Sequence, residues 1–138
     1  MSPGLGFGVF FGLTLASLAL AVLAGRTHRR RMHVAFVLSA LAGLGVTIYF
    51  AFQLGKLYDL PSAGWITPFH LTLAKLTTAS YLAPIVLGIR AWRARAESFP
   101  RARKLHATVA WTVLTLTVAT AVTGTIMILR ATPLAQHS

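Results

Sequence analysis

Residues 103–129 read RKLHATVAWTVLTLTVATAVTGTIMIL: two basic residues, a leucine and a histidine, followed by an apolar run without a charged side chain. The apolar run is close to the ~20 residues that cross a hydrocarbon layer of ~30 Å as an α-helix. Helix is the expected state because backbone groups in lipid must be satisfied within the segment or in a closed barrel, and the alternation of barrel strands is absent. The stretch therefore predicts a membrane-spanning helix with a histidine at its basic end.

Three more segments are long and apolar enough to span a membrane. Residues 4–25 and 34–52 carry no charged side chain, and residues 66–89 are interrupted only by His70 and Lys75. The chain of 138 residues is 56% hydrophobic and 11% charged, with a mean hydropathy of +0.70. A soluble domain carries about 25% charged residues. Lipid is therefore the expected solvent for most of this chain.

The formal net charge of +11 indicates membrane topology rather than nucleic-acid binding. The basic residues concentrate between the first and second segments and between the third and fourth: Arg26, Arg29, Arg30, Arg31, Arg90, Arg93, Arg95, Arg101, Arg103 and Lys104. The opposite side carries only Lys56 and Arg130. By the positive-inside rule both basic loops are cytoplasmic, and both termini lie outside. Such loops favour anionic lipids, and no nucleic-acid partner is expected.

These segments predict an all-α integral membrane protein, an up-down four-helix bundle with the N- and C-termini outside. One transmembrane domain is expected over residues 1–138, with helices at about 4–25, 27–54, 67–95 and 99–130. The short first loop makes neighbouring helices an antiparallel hairpin. Thr27 is expected to cap the second helix, which would place His28 in its first turn and His33 in its second. Pro84 is expected to bend the third helix. In the first helix a stripe of small residues is expected to allow close approach of another helix or of a flat ligand: Gly4, Gly8, Gly12 and Ala16.

The last helix begins with the basic sequence Arg103-Lys104-Leu105-His106, and a similar tetrad occurs earlier as Arg30-Arg31-Met32-His33. In both tetrads two bases and a large apolar residue precede a histidine that opens an apolar segment. The two hairpins are therefore interpreted as a pseudo-repeat, with His33 and His106 at matching depth. Two histidines on facing helices of a bundle are typical axial ligands of haem b. Ionisable residues within a membrane also point to function.

Other residues are expected to complete this haem site. Arg30 and Arg103 are placed to pair with haem propionates through charge-assisted hydrogen bonds. Gly88, at about the same depth on the third helix, is expected to leave room for a porphyrin edge. His28 replaces His33 as the ligand if the second helix has a different register. The alternative for the two tetrad histidines is an interfacial position near the lipid headgroups.

His70 and Lys75 in the third segment have several possible roles. His70 lies ~30 Å from the cytoplasmic histidines at 1.5 Å per residue, so it cannot bind the same iron. It is a candidate for a quinone or proton-transfer site at the outer surface, for a haem ligand with Met127, or for a hydrogen bond to a loop carbonyl. Lys75 is expected to extend to Asp59 or a lipid phosphate, to bond neighbouring threonines, or to contact a haem propionate or quinone.

No other catalytic set is visible in the sequence. The chain has no cysteine, which excludes disulfides, iron–sulfur clusters, thiolate haem ligation and covalent haem attachment through CxxCH. The only acids, Asp59 and Glu97, are expected on opposite sides of the membrane, which excludes catalysis by paired carboxylates. An electron-transfer or assembly protein is therefore expected rather than a stand-alone enzyme.

Short stretches of the chain also resemble parts of a known family: His28-Arg29-Arg30-Arg31-Met32, Phe69-His70-Leu71-Thr72-Leu73-Ala74, and His106 with Ala110 and Thr123-Gly124. Together they resemble small four-helix bacterial membrane proteins that include CtaM-like maturation factors of haem–copper oxidases. The resemblance implies His28, His70 and His106 as the functional set. Members of that family carry a further histidine near the outer end of the second helix, where this chain has Phe52-Gln53.

The leading hypothesis is a bacterial plasma-membrane protein that binds haem b through His33 and His106. It would pass electrons in a respiratory chain, between quinol and a partner complex. The alternatives are a haem–copper oxidase assembly factor and a cofactor-free accessory subunit of a respiratory complex. Other membrane subunits or a second copy of the chain are the expected protein partners.

Overall fold

The computed structural model describes residues 1–94 and 98–134, most of which are helical. The helices are α1 (Pro3–Arg26), α2 (Arg30–Gly55), α3 (Ile66–Ser80), α4 (Leu82–Arg93) and α5 (Phe99–Arg130). Two-residue strands lie at Tyr58–Asp59 (β1) and Thr132–Pro133 (β2), and a 3₁₀ turn at Leu60–Ala63 precedes α3. The predictions that concern Arg95 and Glu97 fall outside the described residues.

Four helical stretches are long and apolar enough to cross a membrane: α1, α2, α3 together with α4, and α5. Their mean hydropathies lie between 1.3 and 2.3. Large apolar side chains on them are exposed, such as Leu13 at 55% and Leu76 at 62%, as expected where the surrounding solvent is lipid. The predicted all-α class with four membrane-spanning helices is confirmed.

The chain passes from α1 to α2 through a tight turn around His28. The hydroxyl and the backbone N–H of Thr27 both donate to the carbonyl four residues earlier, at 3.0 Å each. Arg29 N–H donates to the carbonyl of Ala24 at 2.9 Å, and His28 between them has φ +57°. This is the Schellman motif that ends many helices. The expected N-cap role of Thr27 is therefore wrong, because Thr27 caps the end of α1 and α2 begins only at Arg30.

The third membrane segment is interrupted at Tyr81, between α3 and α4. Pro84 has no N–H to donate to the carbonyl of Ser80, and its ring crowds that carbonyl. The Ser80 hydroxyl donates to the carbonyl of Thr77 at 2.8 Å, and Tyr81 N–H donates to the carbonyl of Thr78 at 3.4 Å in a tighter turn. The distortion expected from Pro84 thus lies in the turn before the proline.

Contacts within the chain group it into two compact units, whereas one transmembrane domain is expected from the sequence. The first unit contains residues 1–59 with Pro133 and Leu134, and the second contains residues 60–132. The first unit is built on the hairpin of α1 and α2. The second is built on a hairpin whose first arm is α3 with α4 and whose second arm is α5.

In the first unit, small and hydroxyl-bearing residues form the contact between α1 and α2. Thr14, only 1% exposed, lies against Gly43, and its hydroxyl is 3.5 Å from that of Thr47. Gly6 lies under the ring of Phe50. The stripe of small residues expected to pack in α1 is exposed instead: Gly4, Gly8, Gly12 and Ala16. The expected packing is wrong within this unit because the face toward α2 runs through Gly6 and Thr14.

In the second unit, hydrogen bonds between side chains join the two arms. The pairs are Thr77 with Thr120 at 2.9 Å, Tyr81 with Thr117 at 2.8 Å, and His70 Nδ1 with Thr123 Oγ1 at 3.0 Å. Thr77 and Thr117 are buried. Interhelical bonds of this kind stabilise membrane proteins by ~0.6 kcal/mol each on average. The threonine-rich face of α5 is therefore its contact face toward the first arm.

Candidate functional site

His33 lies in the first turn of α2 and contacts the end of α1. Its Nδ1 is 2.8 Å from the main-chain carbonyl oxygen of Ala21. A Cβ placed on Gly25, one turn further along α1, would lie 3.2 Å from the same nitrogen. The absence of a side chain at Gly25 therefore gives the imidazole space to reach the backbone of α1.

The second unit repeats this contact at His106, two turns into α5. The Nδ1 of His106 is 2.9 Å from the main-chain carbonyl oxygen of Pro84. A Cβ placed on Gly88 would lie 3.2 Å from Cε1 and 3.4 Å from Nδ1 of this ring. Gly88, expected to leave room for a porphyrin edge, thus faces the imidazole of His106, which lies in the space beside it.

The two histidine contacts are equivalent in sequence as well as in geometry. The first arms of the two hairpins align with each other at one fixed offset in residue number. The second arms align with each other at a different fixed offset. The pairs are Thr14 and Thr77, Ala21 and Pro84, Gly25 and Gly88, His33 and His106, and Thr47 and Thr120. The pseudo-repeat therefore extends from the basic tetrads to the hydrogen bonds inside each hairpin.

The carbonyl contacts determine which ring nitrogen carries the proton. A carbonyl oxygen only accepts hydrogen bonds, so Nδ1 of His33 and Nδ1 of His106 are the donors. In the neutral ring the lone pair then lies on Nε2. Metal-binding histidines usually donate their other ring N–H to a carbonyl or carboxylate, which fixes the tautomer and the ring orientation. Each compact unit thus holds one histidine in the Nδ1–H tautomer, which is the tautomer common among metal-binding histidines.

His28 does not share this geometry. It is exposed in the turn between α1 and α2, at a positive φ of +57°, and precedes the first residue of α2. The prediction that it lies in the first turn of α2 is wrong, because the Schellman motif uses His28 to end α1. His33 takes the first-turn position instead. A ligand role for His28 stays a prediction from the family resemblance.

His70 makes a third contact between a histidine and a glycine, at the other end of the second hairpin. Its Nδ1 is 3.0 Å from the hydroxyl oxygen of Thr123, and a Cβ on Gly124 would lie 2.8 Å from its Cε1. The Thr123 hydroxyl donates to the carbonyl of Thr120 at 3.1 Å, so it accepts from His70. The partners of His70 are thus the hydroxyl of Thr123 and the backbone of Thr120, both on α5, rather than a loop carbonyl.

The charged residues of the expected site are exposed. Arg30 is the first residue of α2, and Arg103 lies near the start of α5. Lys75 lies in the middle of α3, about 140° around the helix axis from His70 at 100° per residue. Across residues 1–94 and 98–134, Lys75 forms no hydrogen bond or ion pair. The expected bonds to neighbouring threonines are therefore not formed, and the other expected contacts of Lys75 stay predictions.

The residues that His33 and His106 contact carry a sequence signal of their own. The stretch LTLAS at residues 13–17 recurs as LTTAS at residues 76–80, and each leads to a glycine at the corresponding position, Gly25 or Gly88. An alignment on the histidine tetrads, which lie in the second arms, does not reveal this repeat. The difference in residue number between corresponding residues is not the same in the first arms as in the second arms. A comparison of the first arms with each other identifies both glycines and both leading threonines.

In the part of the chain that the structure describes, no three His, Cys, Asp or Glu side chains are grouped so as to hold a metal ion. Comparison with protein-family models, curated proteins and solved structures finds no match to this chain. The chemistry of the two repeated histidines is therefore the best guide to function.

Proposed function

We propose that this protein binds haem b in a bacterial plasma membrane and passes electrons in a respiratory chain. The observation that carries the proposal is the repeated contact of His33 and His106, each bound through Nδ1 to a main-chain carbonyl of its own hairpin. A low-spin haem b takes two imidazoles as axial ligands. Each hairpin supplies one imidazole in the tautomer that this ligation needs.

The chemistry of the donor set supports the proposal. A hydrogen bond from Nδ1 to the carbonyl of Ala21 or Pro84 fixes each ring and raises the basicity of Nε2. When bound, haem b supplies one-electron chemistry between Fe(III) and Fe(II). The apolar helices around the histidines carry few charges, so that the protein contributes orientation and a medium that excludes water.

Two arginines are assigned to the haem propionates. Arg30 and Arg103 occupy corresponding positions in the two basic tetrads, just before the histidines, and both side chains are exposed. A guanidinium group binds a carboxylate through two parallel charge-assisted hydrogen bonds. Phosphates of anionic lipids have the same chemistry and compete for these side chains.

Optical spectroscopy tests the proposal directly. The protein is produced in cells supplied with a haem precursor, purified in mild detergent, and measured oxidised and reduced. A reducible Soret band and α band are expected, and His33→Ala and His106→Ala should each abolish the low-spin spectrum. His28→Ala is the matched control, because His28 is exposed in a turn, and it should keep both bands. A colourless protein, or unchanged spectra in both ligand variants, contradicts the proposal.

A cofactor-free accessory subunit of a respiratory complex is the second candidate, and one observation favours it. The bonds of His33 and His106 join the two arms of each hairpin without any added group. Each such bond contributes ~0.6 kcal/mol on average in a membrane. For this candidate the purified protein is colourless, and alanine at either histidine lowers its unfolding temperature without any spectral change.

A further inference from the structure

We infer that Gly25 and Gly88 are positioning residues, which set the strength of the two axial ligands by admitting each imidazole to a main-chain carbonyl. This inference rests on the proposed haem function and adds the residues that tune it. Neither glycine has a side chain that could touch haem. Each acts through the histidine of its own hairpin, His33 or His106.

Glycine and histidine meet at one carbonyl group in each hairpin. In an α-helix the carbonyl of Ala21 accepts from the N–H of Gly25, and the carbonyl of Pro84 accepts from the N–H of Gly88. The histidine adds a second donor to the same oxygen, at 2.8 Å from His33 and at 2.9 Å from His106. The ring must therefore lie directly over the glycine that follows by one turn.

A methyl group at either glycine displaces the ring. The added carbon would lie 3.2 Å from Nδ1 of His33, or 3.2 Å from Cε1 of His106, so that the imidazole must move by a few tenths of an ångström. This movement lengthens the Nδ1–H bond to the carbonyl, and a longer bond is a weaker one. Nε2 then becomes less basic and stabilises Fe(III) less, which raises the midpoint potential of the haem.

Two other glycines provide matched controls. Gly8 in α1 and Gly45 in α2 are in the same helices of the first hairpin, and a Cβ at either position meets no atom within 4 Å. Alanine at these positions replaces a helical glycine, as alanine at Gly25 does. Alanine at Gly8 or Gly45 does not contact His33. These variants therefore separate the general effect of replacing a glycine from an effect on the histidine ligand.

The first experiment uses the full chain without haem. Nitrogen NMR of the histidine rings in bilayers is expected to show His33 and His106 as Nδ1–H tautomers with a hydrogen-bonded Nδ1. Gly25→Ala should shift only the His33 signals, and Gly88→Ala only those of His106, while Gly45→Ala shifts neither. Nε2–H tautomers in the wild-type protein overturn the inference without recourse to any variant, as do unchanged His33 signals in Gly25→Ala.

The second experiment uses the haem-loaded protein and a redox titration of its α band. Gly25→Ala and Gly88→Ala should each raise the midpoint potential and weaken haem binding by roughly 10–100-fold, as loss of a partner beyond the ligand typically does. Gly8→Ala and Gly45→Ala should match the wild-type protein. Haem binding with unchanged potential in both variants overturns the inference and leaves the proposed function intact. A wild-type protein that takes up no haem overturns both.

Discussion

The hydroxyl oxygens of Thr77 and Thr120 lie 2.9 Å apart across the contact between α3 and α5. The corresponding pair in the first hairpin, Thr14 and Thr47, is separated by 3.5 Å. Bonds between hydroxyl groups have typical lengths of about 2.7–2.8 Å, so that only the pair in the second hairpin is near its best length. The two hairpins therefore have equivalent threonine pairs, and the hydrogen bond between the hydroxyl groups is expected to be stronger in the second hairpin.

A double-mutant cycle of Thr77→Val and Thr120→Val should give a coupling energy of ~0.6 kcal/mol, and at most ~1.7 kcal/mol. The cycle of Thr14→Val and Thr47→Val should give less, because its hydroxyl groups are further apart. Reversible unfolding in mixed micelles measures both cycles. Thr125→Val is the control, since that exposed hydroxyl donates within its own helix. Equal coupling in the two hairpins contradicts the prediction.

His28→Gly should stabilise the protein by about 1 kcal/mol, because glycine adopts a positive φ without the steric cost that other residues meet. His28 holds φ +57° at the position where helices that end in a Schellman motif usually carry glycine. The unfolding free energy in mixed micelles measures the gain, and His28→Ala should show none. The haem spectrum should stay unchanged. Loss of haem in His28→Gly would transfer the ligand role to the histidine that the family resemblance implies.

Gly6→Ala should destabilise the first hairpin, by about 1–3 kcal/mol, as overpacking of a filled contact does. The added carbon meets the ring of Phe50. Gly8→Ala, two residues along the same helix, meets no atom within 4 Å and should be neutral or stabilising by up to ~1 kcal/mol. Thermal unfolding compares the two variants. Adding Phe50→Leu to Gly6→Ala should restore part of the loss, and no restoration would rule out the ring as its cause.

The helices could be predicted from the sequence because each span is an apolar run whose backbone has one stable state in lipid. Their ends could not all be predicted. Thr27 is a good cap for the start of one helix and for the end of another, and residue type does not decide between them. The positive φ of His28 decides, since it ends α1 and moves the start of α2 to Arg30.

The histidine pair was predictable from its basic tetrads, and its contacts were not. The acceptors are the main-chain carbonyls of Ala21 and Pro84. Every residue has such a carbonyl, so residue type does not indicate which one accepts. The glycines one turn later can be recognised in the sequence. Gly88 is expected from the sequence to leave room for a porphyrin edge, whereas in the structure it faces His106, as Gly25 faces His33.

Pro84→Ala should join α3 and α4 into one helix without loss of the His106 contact. The new N–H can donate to the carbonyl of Ser80. A proline in a helix interior costs ~3 kcal/mol relative to alanine, and the substitution removes part of this cost. The first hairpin already carries Ala21 at this position and forms the same bond to its histidine. Amide hydrogen exchange should slow around Tyr81 in this variant, while the haem spectrum stays unchanged.

The control for this change is Pro68→Ala, near the start of α3, where a missing N–H costs little and exchange should not alter. If the interruption persists in Pro84→Ala, its cause is the bond of 2.8 Å between the hydroxyl groups of Tyr81 and Thr117, which holds the chain at the break. Adding Tyr81→Phe to Pro84→Ala removes that bond. Slower exchange only in the double variant would then assign the break to the tyrosine, and slower exchange in Pro84→Ala alone assigns it to the proline.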